Sequence, residues 1–432
     1  MKGSVRHEEA QLSKYRNRGN QMDRRIWSAA ICLALAACGS EESETAVVDP
    51  KIRAAEIAHT SIIVDTHIDV PYRLEEKYED VTEATEGGDF DYPRAVTGGL
   101  NAPFISIFTP AAVEEAGGSK EMADRLIDMV EEIVQRAPDK FAIAYSVSDV
   151  RRHFDEGRIS LPLGMENGGP IEGDLENLRH FYERGIRYIT LTHSKSNHIS
   201  DSSYDENKRW QGLSPFGEEL VAAMNQIGVM VDISHISDEA FYDVMEITKV
   251  PVVATHSSAR AFVPNWERNM SDEMIVRLKE NGGVIMINFG SAFLTKTANI
   301  AAYAAFDAYE KYLEDNGLKA EEFPSSEFTK TYREAHPYPY ASLDDVLDHI
   351  DHVVKIAGVD YVGLGSDYDG VGDSLPKGLK DVSAYPNLVR GLLERGYSEE
   401  DIRKILGENL LRVWSAVEAF ANEQITAKGA AQ

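Results

Sequence analysis

Eight short apolar runs, separated by longer amphipathic stretches, constrain this chain more than any other feature of its sequence. They fall at 61–65, 102–108, 161–165, 187–191, 229–233, 252–254, 284–287 and 361–364. Each is short and rich in Val and Ile, so each reads as a buried strand. Between them, 121–136, 174–184, 215–227, 238–248 and 272–281 carry apolar residues at helical spacing. Gly185, Gly228 and Gly282 each follow one of these helices, where a left-handed residue closes the last turn. Ser237 and Ser271 precede helices with acidic first turns, as N-caps do. Strands alternating with helices imply a parallel sheet, and eight such units favour a closed (β/α)8 barrel of the TIM type. An open doubly wound sheet is the alternative, but no Gly-rich dinucleotide fingerprint follows the first strand.

In such a barrel the chemistry sits at the C-terminal ends of the strands. The first run ends in Asp65-Thr66-His67-Ile68-Asp69. The third leads into Glu166, the fourth into His193, the fifth into His235, the sixth into His256 and the eighth into Ser366-Asp367. Four of the 12 histidines stand at these ends, which a random scatter would rarely give. His67 and Asp69 are two apart, so in an extended chain they face the same way and can reach one cation.

The only cysteines are Cys32 and Cys38, both in or beside the N-terminal apolar run. A disulfide framework and a cysteine-ligated metal are therefore excluded from the folded body. His, Asp and Glu without Cys form a hydrolytic metal set, suited to zinc or a similar divalent ion. A catalytic metal needs about three protein ligands plus water. Five candidates (His67, Asp69, Glu166, His235 and His256) fit two metals if one carboxylate bridges, and Glu166, central in the order, is the expected bridge. Two cations about 3.5–4 Å apart can hold a shared hydroxide nucleophile. A lone buried histidine is more often hydrogen-bonded core than ligand; the argument rests on five residues in register along successive strands. Asp65 reads as a structural group. His180, His198, His349 and His352 lie in loop or helix patterns and read as surface residues.

Two stretches break the simple alternation. Residues 72–99 read as a long acidic loop, and 291–340 as an insertion with its own helical pattern at 298–316. Both would lie at the catalytic face as pocket walls or lids; plain surface insertion is equally open for the second. Residues 1–37 read as a signal region, with Met22 an alternative start. Arg24 and Arg25 precede an apolar run at 26–37 that is too short to span a bilayer. It ends in Leu35-Ala36-Ala37-Cys38, which resembles the bacterial lipobox and implies cleavage before Cys38 and a lipid on its sulfur. An ordinary signal peptide is the alternative. The expected organisation continues with a tether at 38–55, a catalytic barrel at 56–420 and a tail at 421–432. Gly39 after the cysteine favours an outer-membrane address in the cell envelope. The net charge of −28 excludes nucleic acid and anionic lipid headgroups as partners.

Asp65-Thr66-His67-Ile68-Asp69 resembles the opening motif of the membrane dipeptidase (renal dipeptidase) family. So do Gly164-Met165-Glu166-Asn167-Gly168-Gly169, Tyr188-Ile189-Thr190-Leu191-Thr192-His193 and Asp232-Ile233-Ser234-His235. Thr255-His256-Ser257-Ser258-Ala259-Arg260, Arg268-Asn269, Gly363-Leu364-Gly365-Ser366-Asp367-Tyr368-Asp369-Gly370 and Glu408-Asn409-Leu410-Leu411-Arg412-Val413 extend the resemblance over nearly the whole body. The resemblance implies a zinc-dependent dipeptidase, often tolerant of a C-terminal D-residue. It assigns one zinc to His67, Asp69 and Glu166 and the other to Glu166, His235 and His256. It places His193 and Arg268 on the substrate and gives Asp367 a proton to handle. It also raises a homodimer, for which the sequence shows no interface signal. The chain departs from the family at 291–340, which is longer than usual. Another amidohydrolase, such as an N-acyl amino acid deacylase, would share the ligands. A non-catalytic lipoprotein binding module would be expected to have lost some of them, and all are present.

Overall fold

The apolar runs become the staves of a closed parallel barrel. A computed structural model describes residues 49–319 and 323–430. Its strands are β1 (Val64–Ile68), β2 (Ala102–Phe108), β3 (Phe141–Ile143), β4 (Ile159–Leu161) and β5 (Leu163–Glu166). They continue with β6 (Ile186–Thr190), β7 (Met230–Asp232), β8 (Val253–Ser257), β9 (Val284–Ile287) and β10 (Val362–Leu364). The barrel order is β1-β2-β5-β6-β7-β8-β9-β10, and Asp65 of β1 pairs in parallel with Leu364 of β10 to close it. All eight sequence-expected strands are present, which excludes the open doubly wound alternative.

Strand side chains alternate between two apolar layers, as the two-residue period requires. Val64, Phe104, Tyr188, Met230, Val253, Val284 and Met286 meet inside the barrel, together with Trp414 of the helix Asn409–Ala430. Ile63, Ile105, Ile107, Met165, Ile189, Val231, Ala254, Ile285 and Ile287 pack outward under the surrounding helices. The Tyr188 ring spans the interior because Gly164 stands opposite it on β5; a Cβ there would lie 1.9 Å from the ring.

The helix ends follow the expected chemistry. Ser237 accepts from the Ala240 amide at 3.2 Å and Ser271 from the Met274 amide at 3.3 Å. Gly228 and Gly282 close their helices at φ 93° and 80°.

Several boundaries differ from the sequence reading. A helix, Pro50–His59, begins within the expected tether at 38–55, capped by the Asp49 side chain. The last helix runs to Ala430, through most of the expected tail at 421–432. Residues 72–99 are not loop throughout, since they contain part of the helix Val70–Glu76 and all of Tyr92–Gly98. The stretch 291–340 folds into helices Ser291–Leu294, Lys296–Asn316 and Ser325–Ala335. β3 and β4 form a small parallel sheet beside the barrel that no periodicity announced. The signal-like segment and Cys38 lie outside the described residues. Among the described residues no helix is long and apolar enough to cross a membrane.

Candidate metal centre

Seven polar side chains converge where the strands end. His67 lies on β1, Asp69 just beyond it, and Glu166 on the last position of β5. His193 follows β6, His235 follows β7, His256 lies on β8 and Asp367 follows β10. Glu166 is central. Its Oε2 is 3.3 Å from His67 Nε2, while its Oε1 is 3.1 Å from His235 Nε2 and 3.3 Å from His256 Nε2. His67 Nε2 lies 3.4 Å from Asp69 Oδ2, and the Nε2 atoms of His235 and His256 are 2.8 Å apart. The Glu166 oxygens thus face His67 on one side and His235 and His256 on the other, within one continuous cluster in which His67 and His256 also lie close together. His193 Nε2, at 3.5 Å from Glu166 Oε1, and Asp367, which groups with His67 and Asp69, complete the shell.

Buried polar atoms normally have hydrogen-bond partners. Here His67 Nε2, Asp69 Oδ1, His193 Nδ1 and His235 Nδ1 have none. Burial, with the positive charge of Arg268, holds His235 well below its ordinary range; burial, His67 and Arg268 do the same for His256. Burial opposes charge on Glu166, but His67, His193 and hydrogen bonds from His235 and His256 hold its carboxyl well below the usual range. His235 and His256 are thus neutral beside an ionised carboxylate, the protonation states a metal requires, whereas Tyr188, Asp69 and Glu166, acting against burial, push His67 well above its ordinary range. The donor set and the orphaned atoms fit divalent cations.

The chain accepts strained backbone to build this shell. His235 and Asp367 adopt φ of 70° and 63°, the left-handed region that non-glycine residues rarely occupy. Such conformations persist where the surroundings impose them, and they cluster at functional sites.

A second layer orients the first. The Thr255 hydroxyl donates to Asp232 Oδ2 at 2.7 Å and lies 2.7 Å from His256 Nδ1. An ionised carboxylate only accepts, so Thr255 has spent its proton and must accept from His256 Nδ1–H. That fixes the tautomer and leaves the His256 Nε2 lone pair facing Glu166. Asp65 accepts from the Tyr385 hydroxyl and from the amides of Ser366 and His67, tying β1 to the loop after β10, which is the structural role expected of it.

Asp367 is pushed up to about 7, chiefly by burial, with the charges of Asp69 and Glu166 adding to it. Asn288, after β9, donates to its Oδ2 at 2.7 Å. Arg268 is buried beside His256. It donates to the His256 carbonyl at 2.8 Å and Ser257 Oγ at 2.7 Å, and its Nε has no partner.

All eight residues singled out in the sequence are therefore brought together. Asn288, Thr255, Asp232 and Tyr188 were missed as contributors. Three of them are polar groups at strand ends, a signal as visible as that of the histidines. The other histidines divide. His180, His198 and His352 are partly exposed and paired with Asp124, Glu114 and Asp272, as surface residues would be. His349 is not a surface residue. It is fully buried, because it shares the inward face of its helix with Val346, Ile350 and Val353.

The family model of membrane dipeptidases, peptidase family M19, matches residues 51–428. The chain belongs to this family. It is a metallodipeptidase, a hydrolase on a (β/α)8 barrel. Among similar proteins are dipeptidase aclJ of Aspergillus oryzae, 37% identical over 77% of this chain and 71% of its own length, and dipeptidase tcpJ of Claviceps purpurea, 34% identical over 78% and 71%. Among solved structures, the probable dipeptidase PvdM from Pseudomonas aeruginosa superposes with a TM-score of 0.74 at 28% identity, covering 86% of this chain and 99% of that one. A metallo peptidase from Rhodobacter sphaeroides, liganded with a phosphinate mimic of the dipeptide L-Ala-D-Ala, gives 0.67 at 25% identity over 83% and 99%.

Proposed function

We propose that this M19 metallodipeptidase uses two zinc ions, one held by His67, Asp69 and Glu166, the other by Glu166, His235 and His256. The observation that carries this reading is that one Glu166 oxygen is nearest His67 while the other is nearest His235 and His256, so that this carboxylate is central to the donor cluster. Bound there, the ions supply a Lewis acid and a water acidic enough to ionise near neutral pH.

The chain's own residues do the rest. Arg268 binds the free carboxylate of the dipeptide through its unpartnered Nε–H. Burial lowers the basicity of His193, so it stays neutral and donates an N–H to the carbonyl oxygen as charge develops. Asp367, poised at about 7, takes the proton of the attacking water and returns it to the leaving amine. Tolerance of a C-terminal D-residue is supported by the L-Ala-D-Ala mimic that the Rhodobacter sphaeroides relative binds. We further propose export as a lipoprotein of the cell envelope, with residues 1–37 removed and Cys38 lipidated, and leave a homodimer as the assembly to test.

The test is hydrolysis of free dipeptides before and after chelation and zinc restoration, alongside N-acetylated dipeptides. Metal-dependent cleavage of the free dipeptides alone is expected, with two zinc ions per chain by metal analysis. Cleavage of only the blocked substrates would move the assignment to a deacylase on the same metal site.

A further inference from the structure

A continuous set of aromatic rings leads outward from the metal centre and ends on the insertion. The Tyr204 ring lies 5.7 Å from that of His235 and meets the Trp266 indole edge-on at 6.2 Å. Trp266 meets Phe293 edge-on at 5.0 Å, and the Arg268 guanidinium lies 5.1 Å over the Phe293 ring. Outside these, the Trp266 Nε1–H donates to the Tyr303 hydroxyl at 2.9 Å. Tyr303 belongs to the helix Lys296–Asn316 and is 43% exposed, so its ring borders solvent rather than core.

The base of this insertion is fixed. The Phe293 carbonyl accepts from Asn269 Nδ2 at 2.8 Å and the Leu294 carbonyl lies 3.0 Å from His349 Nε2. The Ser291 amide donates to the Ser374 carbonyl at 2.9 Å. Tyr303 is therefore presented by an anchored helix. Its hydroxyl accepts the indole N–H and so adds a third contact to an indole already packed against Tyr204 and Phe293.

Resting on the dipeptidase reading, we infer that Trp266 and Tyr303 form the outer wall of the pocket for the C-terminal side chain of the substrate, and that this wall selects an apolar, above all an aromatic, residue. If Arg268 holds the carboxylate, the side chain on the adjoining carbon projects beside Phe293, the ring stacked on that guanidinium. Trp266 is the next surface it meets. Ring edges and faces reward apolar and aromatic groups and offer an anionic side chain nothing to offset its lost hydration. The nearby Glu267 carboxylate is already engaged by Lys208 at 3.1 Å and by the Asp238 amide at 2.8 Å.

The experiment measures kcat/KM of the purified full chain for L-Ala-X dipeptides with X as Phe, Leu, Ala or Asp. The expected order places Phe and Leu about tenfold or more above Ala, the scale on which apolar pockets discriminate, with Asp last. Trp266→Ala should reduce the Phe-to-Ala ratio about tenfold, mostly through KM, a size also drawn from apolar-pocket discrimination. Tyr303→Phe, which loses only the hydroxyl that orients the indole, should shift the ratio the same way by less. A wild-type preference for Ala or Asp, or an unchanged ratio in both variants, would overturn the inference while leaving the dipeptidase reading intact. If Trp266→Ala misfolds, the conservative Tyr303→Phe decides alone. Failure of the wild-type chain to cleave any dipeptide would instead remove the reading on which the inference rests.

Discussion

Nδ1 of His67 lies 2.9 Å from the hydroxyl of Tyr188. That hydroxyl donates to the Thr66 carbonyl at 3.1 Å, so it accepts from His67, and the Nε2 lone pair of His67 is left facing Glu166 and Asp69. Tyr188→Phe keeps the buried ring and removes only this acceptor. Metal affinity, measured by competition with a chelator, should fall about 10–100-fold, the usual cost of losing such a partner. Unchanged affinity would show that His67 needs no orienting group.

Gly370 sits where two carboxylates approach. A Cβ there would lie 2.3 Å from Asp69 Oδ2 and 2.3 Å from Asp367 Oδ1. Its φ is ordinary, so Gly370→Ala tests space alone. Both side chains must move, and kcat/KM should drop about 100-fold or more, as displacements of about 1 Å cause elsewhere. The unfolding midpoint should move little; a large fall in the midpoint would mean that the glycine serves the fold instead.

His193→Ala should lower kcat about 10²–10³-fold, the cost of one donor to a developing oxyanion. The bound metal should remain, since five other donors hold it. Loss of metal on purification would reassign His193 from the substrate to the cation, a role its 3.5 Å separation from Glu166 also permits.

Arg268→Lys keeps the charge but loses the planar fork. KM for free dipeptides should rise about tenfold or more, roughly the value of one charge-assisted hydrogen bond. Dipeptide amides should be cut poorly by wild type and variant alike. Equal loss on amides and free dipeptides would remove the carboxylate from the Arg268 site.

His349 gives a pH signature in stability. Nδ1 accepts from the Ala259 amide at 3.1 Å and Nε2 donates to the Leu294 carbonyl at 3.0 Å, so protonating Nδ1 breaks the first bond. Burial, with a smaller push from His352, lowers its pKa from 6.5 to about 4. The unfolded chain then binds the proton first. Stability from this group is complete above 6.5 and declines as pH falls toward about 4, by on the order of 3 kcal/mol in total. Asp89 and Asp369, raised chiefly by desolvation to about 6 and about 7, slope the opposite way through the same region. The comparison is therefore between wild type and His349→Gln in urea melts from pH 7 to pH 4. The variant should show a shallower loss toward acid, and parallel curves would remove His349 from the account.

The barrel and the metal-ligand candidates were legible because both depend on local pattern. A stave is a short apolar run, and a catalytic group is the polar residue that ends it. β1 nevertheless begins at Val64, not at residue 61, because its pairing with β2 and β10 sets its start, and pairing is not local. β3 and β4 escaped notice because three-residue strands carry too little pattern. The burial of His349 is legible in its spacing: it lies three residues after Val346 and four before Val353, on the apolar stripe of its own helix. Tyr188 passed as core, and its hydroxyl acquires meaning only through Gly164 and His67, residues distant in the chain.

The closing pair of the barrel, Asp65 with Leu364, joins positions some 300 residues apart. A chain leaving the ribosome therefore carries His67 and Asp69 early but cannot assemble them with Asp367 until nearly all of it has been made. Glu166, His235 and His256 lie on or just after strands that pair through β6 to β8 without the closing pair, but the full set of donors waits for it. Because Asp367 follows the stave that closes the wall, a chain cut short before β10 lacks both the closing pair and this proton carrier, and is expected to be inert rather than an unregulated peptidase.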